Sequence, residues 1–339
     1  FSFAGRTATT ANETKRQEAE RRLAAGEDRN AVRQDTGWFK GVDGKWRFEI
    51  NDKDAKWKIP FEKLKKSPKI GDPTMYRIGD VIDHPALFAA YPWIAHEMAL
   101  VKRKLGKDVQ GWYDDVSMNV EVSPNADYPL STILHEIQHA IQVAEGFAQG
   151  GTEESVWGIL TLEEKEQIAD NLAARIEREL HELVYQRERM ENTHDPDGEL
   201  TLPMAQLTRE ILKLNKDRAG LRNGSLSTLK RVVSQRGGLH EMYRRLAGEV
   251  EARNVQTRQN LTDEERAAKA PWETQDVTSK RQIVDMGDAG PAASMSVQQS
   301  SANRQTPDPM QVIRETRPAE ITQTRFVMNK LREQLIKWF

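Results

Sequence analysis

The chain has no cysteine in its 339 residues. Disulfides, iron–sulfur clusters and thiol catalysis are thereby excluded, and any bound metal must rest on His, Asp and Glu. Long apolar runs are also missing. No stretch approaches the roughly 20 residues of a membrane span, and the mean hydropathy is −0.73. Neither sign of charge is in excess, since 50 Lys+Arg stand against 52 Asp+Glu for a formal net charge of −2. That balance gives no footprint for a specific nucleic-acid partner, and there is no acidic tail. Local basic runs such as KLKKSPK (63–69) read as solvated surface. The opening FSFAG lacks the charged and apolar regions of a secretory signal. A start without Met and an abrupt stop at Phe339 suggest a piece of a longer polypeptide.

What is present is a polar chain long enough for two or three domains. Residues 1–35 read as a helical arm, with Gly26 breaking the helical pattern of 10–34. In TGWFKGVDGKWRFEI (36–50), two aromatic-rich halves flank VDG, a hairpin signal because the glycine supplies positive φ. The spacing predicts a buried helix or turn-rich core segment over 80–95. It predicts strands over 98–105 and 116–122, the second alternating Val116, Met118, Val120 and Val122. Beyond Gly150 and Gly151 the pattern changes. TLEE (161–164) is a capping box opening a long charged helix to about 192, with Ile168, Leu172, Ile176, Leu180 and Val184 as its stripe. A second helix over 203–219 completes a helical hairpin, taken as an insertion over 161–221. It divides one core into 36–160 and 222–286, with a single returning helix over 238–258. Residues 287–318 have linker composition. Ile321, Met328, Leu331, Leu335 and Trp338 then form a docking seam for another helix in 319–339.

The chemistry concentrates in STILHEIQHAIQ (131–142). Histidines four apart stand one above the other on a helix, so His135 and His139 can converge on one ion. Glu136 follows at about 100° of rotation, near enough to reach a water on that ion without binding it. Zinc with three protein ligands lowers its water's pKa to roughly 7, and the glutamate can take that proton. On a helical projection Ile133, Ile137, Ala140, Ile141 and Ala144 cluster in one direction. The two histidines point roughly 180° away, and Gln138 and Gln142 share their side as lining of a polar cleft. Ser131 or Thr132 stands near the helix start, where a cap is expected. Three other His-Glu pairs, His96-Glu97, His181-Glu182 and His240-Glu241, have Leu100, Tyr185 and Arg244 where the second histidine would stand. His84 and His194 are isolated and read as structural or exposed. The third ligand is sought in AGEVEAR (247–253), whose helix has Leu239, Tyr243, Leu246 and Val250 as its stripe. Glu249 lies about 80° from the centre of that stripe and Glu251 about 120°. Glu249 is therefore the first candidate and Glu251 the alternative.

DHPALFAAYPWI, LSTILHEIQHAIQVAEGFAQGG, YRRLAGEVEARNVQTR and PWETQDV together resemble the large polyvalent protein-associated domains of phage and prophage polyproteins. TGWFKGVDGKWRFEI fits the same type, and the resemblance spans about 30–285 apart from the insertion. It implies a zincin-like metallopeptidase domain within a long phage protein packaged in the virion and ejected into the host. EVEAR is also similar to the E-x-x-A-D ligand helix of membrane-type gluzincins. That similarity implies Glu249 as a zinc ligand and leaves Arg253 at the family's Asp position.

The expectation is an α+β fold, a zincin-like core of small sheet and active-site helix with a helical-hairpin insertion. Zinc (Zn2+) is held by His135, His139 and Glu249, with Glu136 as general base, and the substrate is a polypeptide. Other segments of a longer phage protein, or virion proteins, would dock through the C-terminal helix, in the virion or the host cytoplasm. The rival expectation is a virion or ejection component whose peptidase-like domain is a scaffold with little or no activity.

Overall fold

The computed structural model describes residues 1–65, 76–96, 98–102, 109–192 and 201–287. The seam expected over 319–339, the linker from 288 on, and His194 lie outside the described residues. The fold is α+β, with helices around sheets of three, two and four strands.

The chain opens with a strand, β1 (Ser2–Ala4), where a helical arm was expected. Three residues have no period to read, and they become a strand only because a later one pairs with them. Helices α1 (Glu13–Ala24) and α2 (Arg29–Thr36) follow, with Asn12 and Asp28 as side-chain N-caps. Gly26 sits between them at φ +84°. The expected hairpin forms as β2 (Trp38–Lys40) and β3 (Trp46–Ile50), paired antiparallel with Phe39 opposite Arg47. Gly44 supplies the turn at φ +76°. β1 pairs on the other side of β3, giving the order β1-β3-β2.

Short elements fill the next stretch: β4 (Lys56–Trp57), α3 (Phe61–Lys65), β5 (Tyr76–Arg77), α4 (Ile78–Val81) and β6 (Ile82–Asp83). After them come α5 (Pro85–Ala90), α6 (Pro92–His96), β7 (Ala99–Lys102), β8 (Gly111–Asp114) and β9 (Asn119–Val122). The four-stranded sheet runs β5-β7-β9-β8, with β7 and β9 parallel and β8 an antiparallel edge. The strand expected over 116–122 is shortened. Residues 115–118 form a turn, Met118 has φ +51°, and Val116 is 91% exposed. The Asp114 carboxylate accepts the backbone N–H groups of Val116 and Ser117, at 3.0 and 3.3 Å, and so reverses the chain into β9.

Helix α7 (Pro129–Glu145) carries the His pair. Pro129 occupies its first turn and Tyr128 its N-cap position without a side-chain bond, so neither Ser131 nor Thr132 caps it. Ile133, Ile137, Ala140 and Ile141 enter the main core beside Val120 and Val122, and Gly146 ends the helix at φ +63°.

Among the described residues two compact units result, one joining Phe1–Gly151 to residues 245–287, the other built from Thr152–Arg244. The second holds α8 (Glu153–Ile159), α9 (Leu162–Glu191), α10 (Thr201–Arg222), α11 (Leu226–Gln235) and α12 (Gly238–Arg244). The Thr161–Glu164 capping box starts α9. Ile168, Leu172, Ile176 and Leu180 are buried, while Val184 is half-buried. Helix α11 was not anticipated. The single helix expected over 238–258 is two, because α13 (Ala247–Arg258) starts afresh after a break at Arg245 and Leu246. There Ile283 donates its N–H to the Arg245 carbonyl at 2.7 Å and accepts that of Ala247 at 2.8 Å, diverting the bonds a continuous helix needs. The capped helix α14 (Asp263–Ala268) follows.

Candidate metal centre

One turn apart on α7, the His135 and His139 Nε2 atoms approach to 3.2 Å. Glu249, in the first turn of α13 and only 2% exposed, closes on both. Its Oε2 is 3.7 Å from His135 Nε2 and its Oε1 is 3.4 Å from His139 Nε2. Tetrahedral N and O ligands at 2.0–2.1 Å from an ion stand about 3.3 Å from one another. The His pair has that spacing, and one Glu249 oxygen approaches each histidine to within a few tenths of an ångström of it. Gly151 donates its N–H to Glu249 Oε1 at 3.0 Å. Burial alone would raise the Glu249 carboxyl, but His139 and His135 beside it bring it down to about 2.

The imidazole rings are oriented from behind. His139 Nδ1 faces Gln142 Oε1 at 2.9 Å, and His135 Nδ1 faces Gln256 Oε1 at 3.2 Å. An amide oxygen only accepts, so each Nδ1 carries a hydrogen, and in a neutral ring Nε2 is then the nitrogen that can bind an ion. Two imidazole nitrogens and a carboxylate then crowd one point. That arrangement fits a divalent cation.

Glu136 is also buried, and the ligand atoms of His135, Glu136 and His139 lie within 4.8 Å of one another. Its Oε1 is turned toward β8, where a Cβ on Gly111 would come within 2.5 Å of it. Of the two carboxylates, Glu249 is therefore the one whose oxygens face both imidazole Nε2 atoms. Burial pushes the Glu136 carboxyl up to about 7, with Glu249 adding to the rise and His139 opposing it. Gly150 is as close: a Cβ there would lie 2.4 Å from His139 Cε1 and 2.6 Å from Glu249 Oε1.

Gln138 and Gln142 do not line a cleft. Both are fully buried, because β1 and α13 cover that side of α7. Gln138 bonds the backbone of Phe3 in both directions, at 2.9 and 3.0 Å, as a strand neighbour would. Glu251 is buried too, but its partners are Arg47, Gln138 and Gln142 rather than the histidines. No period or motif in the sequence marks Gly111, Gln256, Arg47 or Asp43 as part of the site, and Gly150 reads there only as a boundary. Arg253, at the position where the resembled family has Asp, pairs with Asp276 at 2.8 Å. His84 is structural: its Nε2 is 2.7 Å from Asp52, and its Nδ1 caps α5.

A family model, Large polyvalent protein associated domain 23, matches residues 1–58. No curated protein and no solved structure matches the chain. The matched segment runs from β1 to β4 and contributes Phe3, Asp43 and Arg47 to the surroundings of α7. Among the described residues, no helix is long and apolar enough to cross a membrane.

Proposed function

We propose that the unit containing α7 and α13 is a zinc-dependent peptidase domain of a phage polyprotein. The observation that carries this reading is the convergence of two histidine Nε2 atoms, 3.2 Å apart, with the Glu249 carboxylate, whose oxygens lie 3.4 and 3.7 Å from them, and with Glu136 beside them. His135, His139 and Glu249 would hold the ion. When bound, zinc supplies a Lewis-acid centre that polarises a carbonyl oxygen and acidifies water. Glu136 is the proton acceptor, and burial raises its basicity toward neutrality, where a general base works best. It then returns the proton to the leaving amine.

A peptide is the substrate class that the surroundings favour. Strand β8 is the outer strand of its sheet among the described residues, and Gly111 brings its backbone against Glu136. An extended chain can add to such an edge through main-chain hydrogen bonds, which places a peptide carbonyl beside the base. The polyvalent-domain match supports a place within a longer protein.

The test is digestion of a peptide library by the zinc-loaded full chain, with Glu136→Gln and His139→Ala as controls. We expect cleavage by the wild type alone, with zinc retained by Glu136→Gln and lost by His139→Ala. Zinc binding without cleavage of any peptide would favour the scaffold reading.

A further inference from the structure

A chain of buried contacts leads from the β2–β3 hairpin to the metal centre. We propose that Glu251, fixed by Arg47, is a positioning residue for His139: it sets which way the Gln142 amide faces, and hence which imidazole nitrogen carries the proton. This rests on the metal-centre reading proposed for the same site.

Arg47 pairs its Nε with Glu251 Oε2. Its Nη1 and Nη2 hold Asp43 Oδ1 and Oδ2 at 2.7 and 2.9 Å. With Oε2 engaged, Glu251 presents Oε1 to Gln138 Nε2 at 3.0 Å and to Gln142 Nε2 at 3.2 Å. The Gln142 amide nitrogen also donates to the Gly248 carbonyl at 2.9 Å, so both its hydrogens are used. Turning that amide by half a revolution would set its oxygen against a carboxylate and a carbonyl. Each acceptor would then face an oxygen in place of a donor, a mismatch that is costly in a buried site. The amide oxygen is thus committed to His139 Nδ1, at 2.9 Å. Nδ1 must carry the hydrogen, and Nε2 is left free toward Glu249.

A parallel arm serves the carboxylate ligand. Asp43 Oδ2 accepts the Ala148 N–H at 2.8 Å, three residues before the Gly151 N–H that holds Glu249 at 3.0 Å. The hairpin inside the family-matched segment therefore braces a histidine and a glutamate of the centre together. Glu251, the alternative ligand in the sequence reading, has a different task.

The test uses the metal-free, 15N-labelled full chain. Long-range 1H–15N spectra report the His139 tautomer, and chelator competition reports zinc affinity. Wild type should carry the His139 proton on Nδ1. In Glu251→Gln the new amide can offer either end to Gln142, so we expect mixed tautomers and zinc binding weakened roughly 10–100-fold. Gln142→Met, which removes the amide but keeps its length, should give the same loss and serves if Glu251→Gln does not fold. A wild-type proton on Nε2, or folded variants with unchanged tautomer and affinity, would overturn the proposal. Failure of the wild type to bind zinc would sink the metal centre instead, because the tautomer reports on Glu251 in either case.

Discussion

Glu249 and Glu136 are buried carboxylates on either side of one His pair, and their surroundings push them in opposite directions. Glu249, facing both Nε2 atoms, is held down to about 2, whereas Glu136, against β8, is raised to about 7. A ligand and a base need that difference. Glu249→Gln should weaken zinc binding by more than the roughly 100-fold that loss of an outer partner costs, while Glu136→Gln keeps the metal and loses hydrolysis. Chelator competition and peptide cleavage on the same preparations separate the two roles, and greater metal loss in Glu136→Gln than in Glu249→Gln would reverse the assignment. Gly150→Ala tests the strap over the centre. Its Cβ would sit 2.4 Å from a His139 ring carbon, so the ring or the strap must shift. We expect zinc affinity to fall at least roughly 10-fold with little change in Tm, since displacing a ligand's support carries that order of cost.

At the scale of elements, the decisive contact is the packing of α13 on α7. Gly248 lets α13 also approach the segment that follows α7: a Cβ there would lie 2.1 Å from Gly150 N and 2.2 Å from the Gln149 carbonyl carbon, both backbone atoms. Gly248→Ala should cost about 1–3 kcal/mol or more, read as a fall in the denaturation midpoint of the metal-free protein. The hairpin contributes a pH-dependent term. Burial alone would raise the Asp43 carboxyl, yet Arg47 and the Ala148 N–H hold it below its ordinary value of 3.8. A depressed folded pKa means stabilisation that is full above the unfolded value and lost as pH falls through the lower folded one. Asp43→Asn should therefore differ most from wild type at neutral pH, by about 3–5 kcal/mol for a broken buried pair. The gap should shrink below about pH 4. Denaturation in chelator from pH 7 to pH 2 measures it, and a gap independent of pH would remove Asp43 from the account.

At the scale of the molecule, the two units differ in how the chain builds them. Thr152–Arg244 is continuous and carries its own buried stripe, Ile168, Leu172, Ile176 and Leu180 of α9 with Leu229, Val232 and Val233 of α11. Expressed alone, it should be helical and melt cooperatively, as circular dichroism would show; a non-cooperative melt would count against an independent core. The excision expected from sequence, 161–221, would strip α9 and α10 from α11 and α12. Removing 152–244 whole is the cleaner cut. Bridged by a flexible linker, the remaining unit should bind zinc within a few-fold of the full chain, and loss of binding with folding intact would tie the inserted unit to the centre.

What the sequence determined by itself was local. The His pair on one helix face, the VDG hairpin, the Thr161 capping box and the α9 stripe all follow from periods and turn residues within a few positions. Each is present in the fold, because short-range sterics and one buried face suffice to specify them. What only the tertiary structure decided depends on partners far along the chain. Phe1–Gly5 contains a strand because β3 pairs with it, and β9 is short because β8 turns back on it at Asp114. The helix read through 238–258 breaks because Ile283 takes its hydrogen bonds. Gln138 and Gln142 looked like cleft lining, since a helical projection shows where a side chain points and not what covers it. On an unbroken helix Glu249 and Glu251 are ranked only by their distance from the stripe centre, about 80° against about 120°. In the fold both are buried on α13, and their roles divide by partner: the histidines for one, Arg47 for the other. Periodicity encodes direction along one element; the identity of the neighbour is a property of the packed whole.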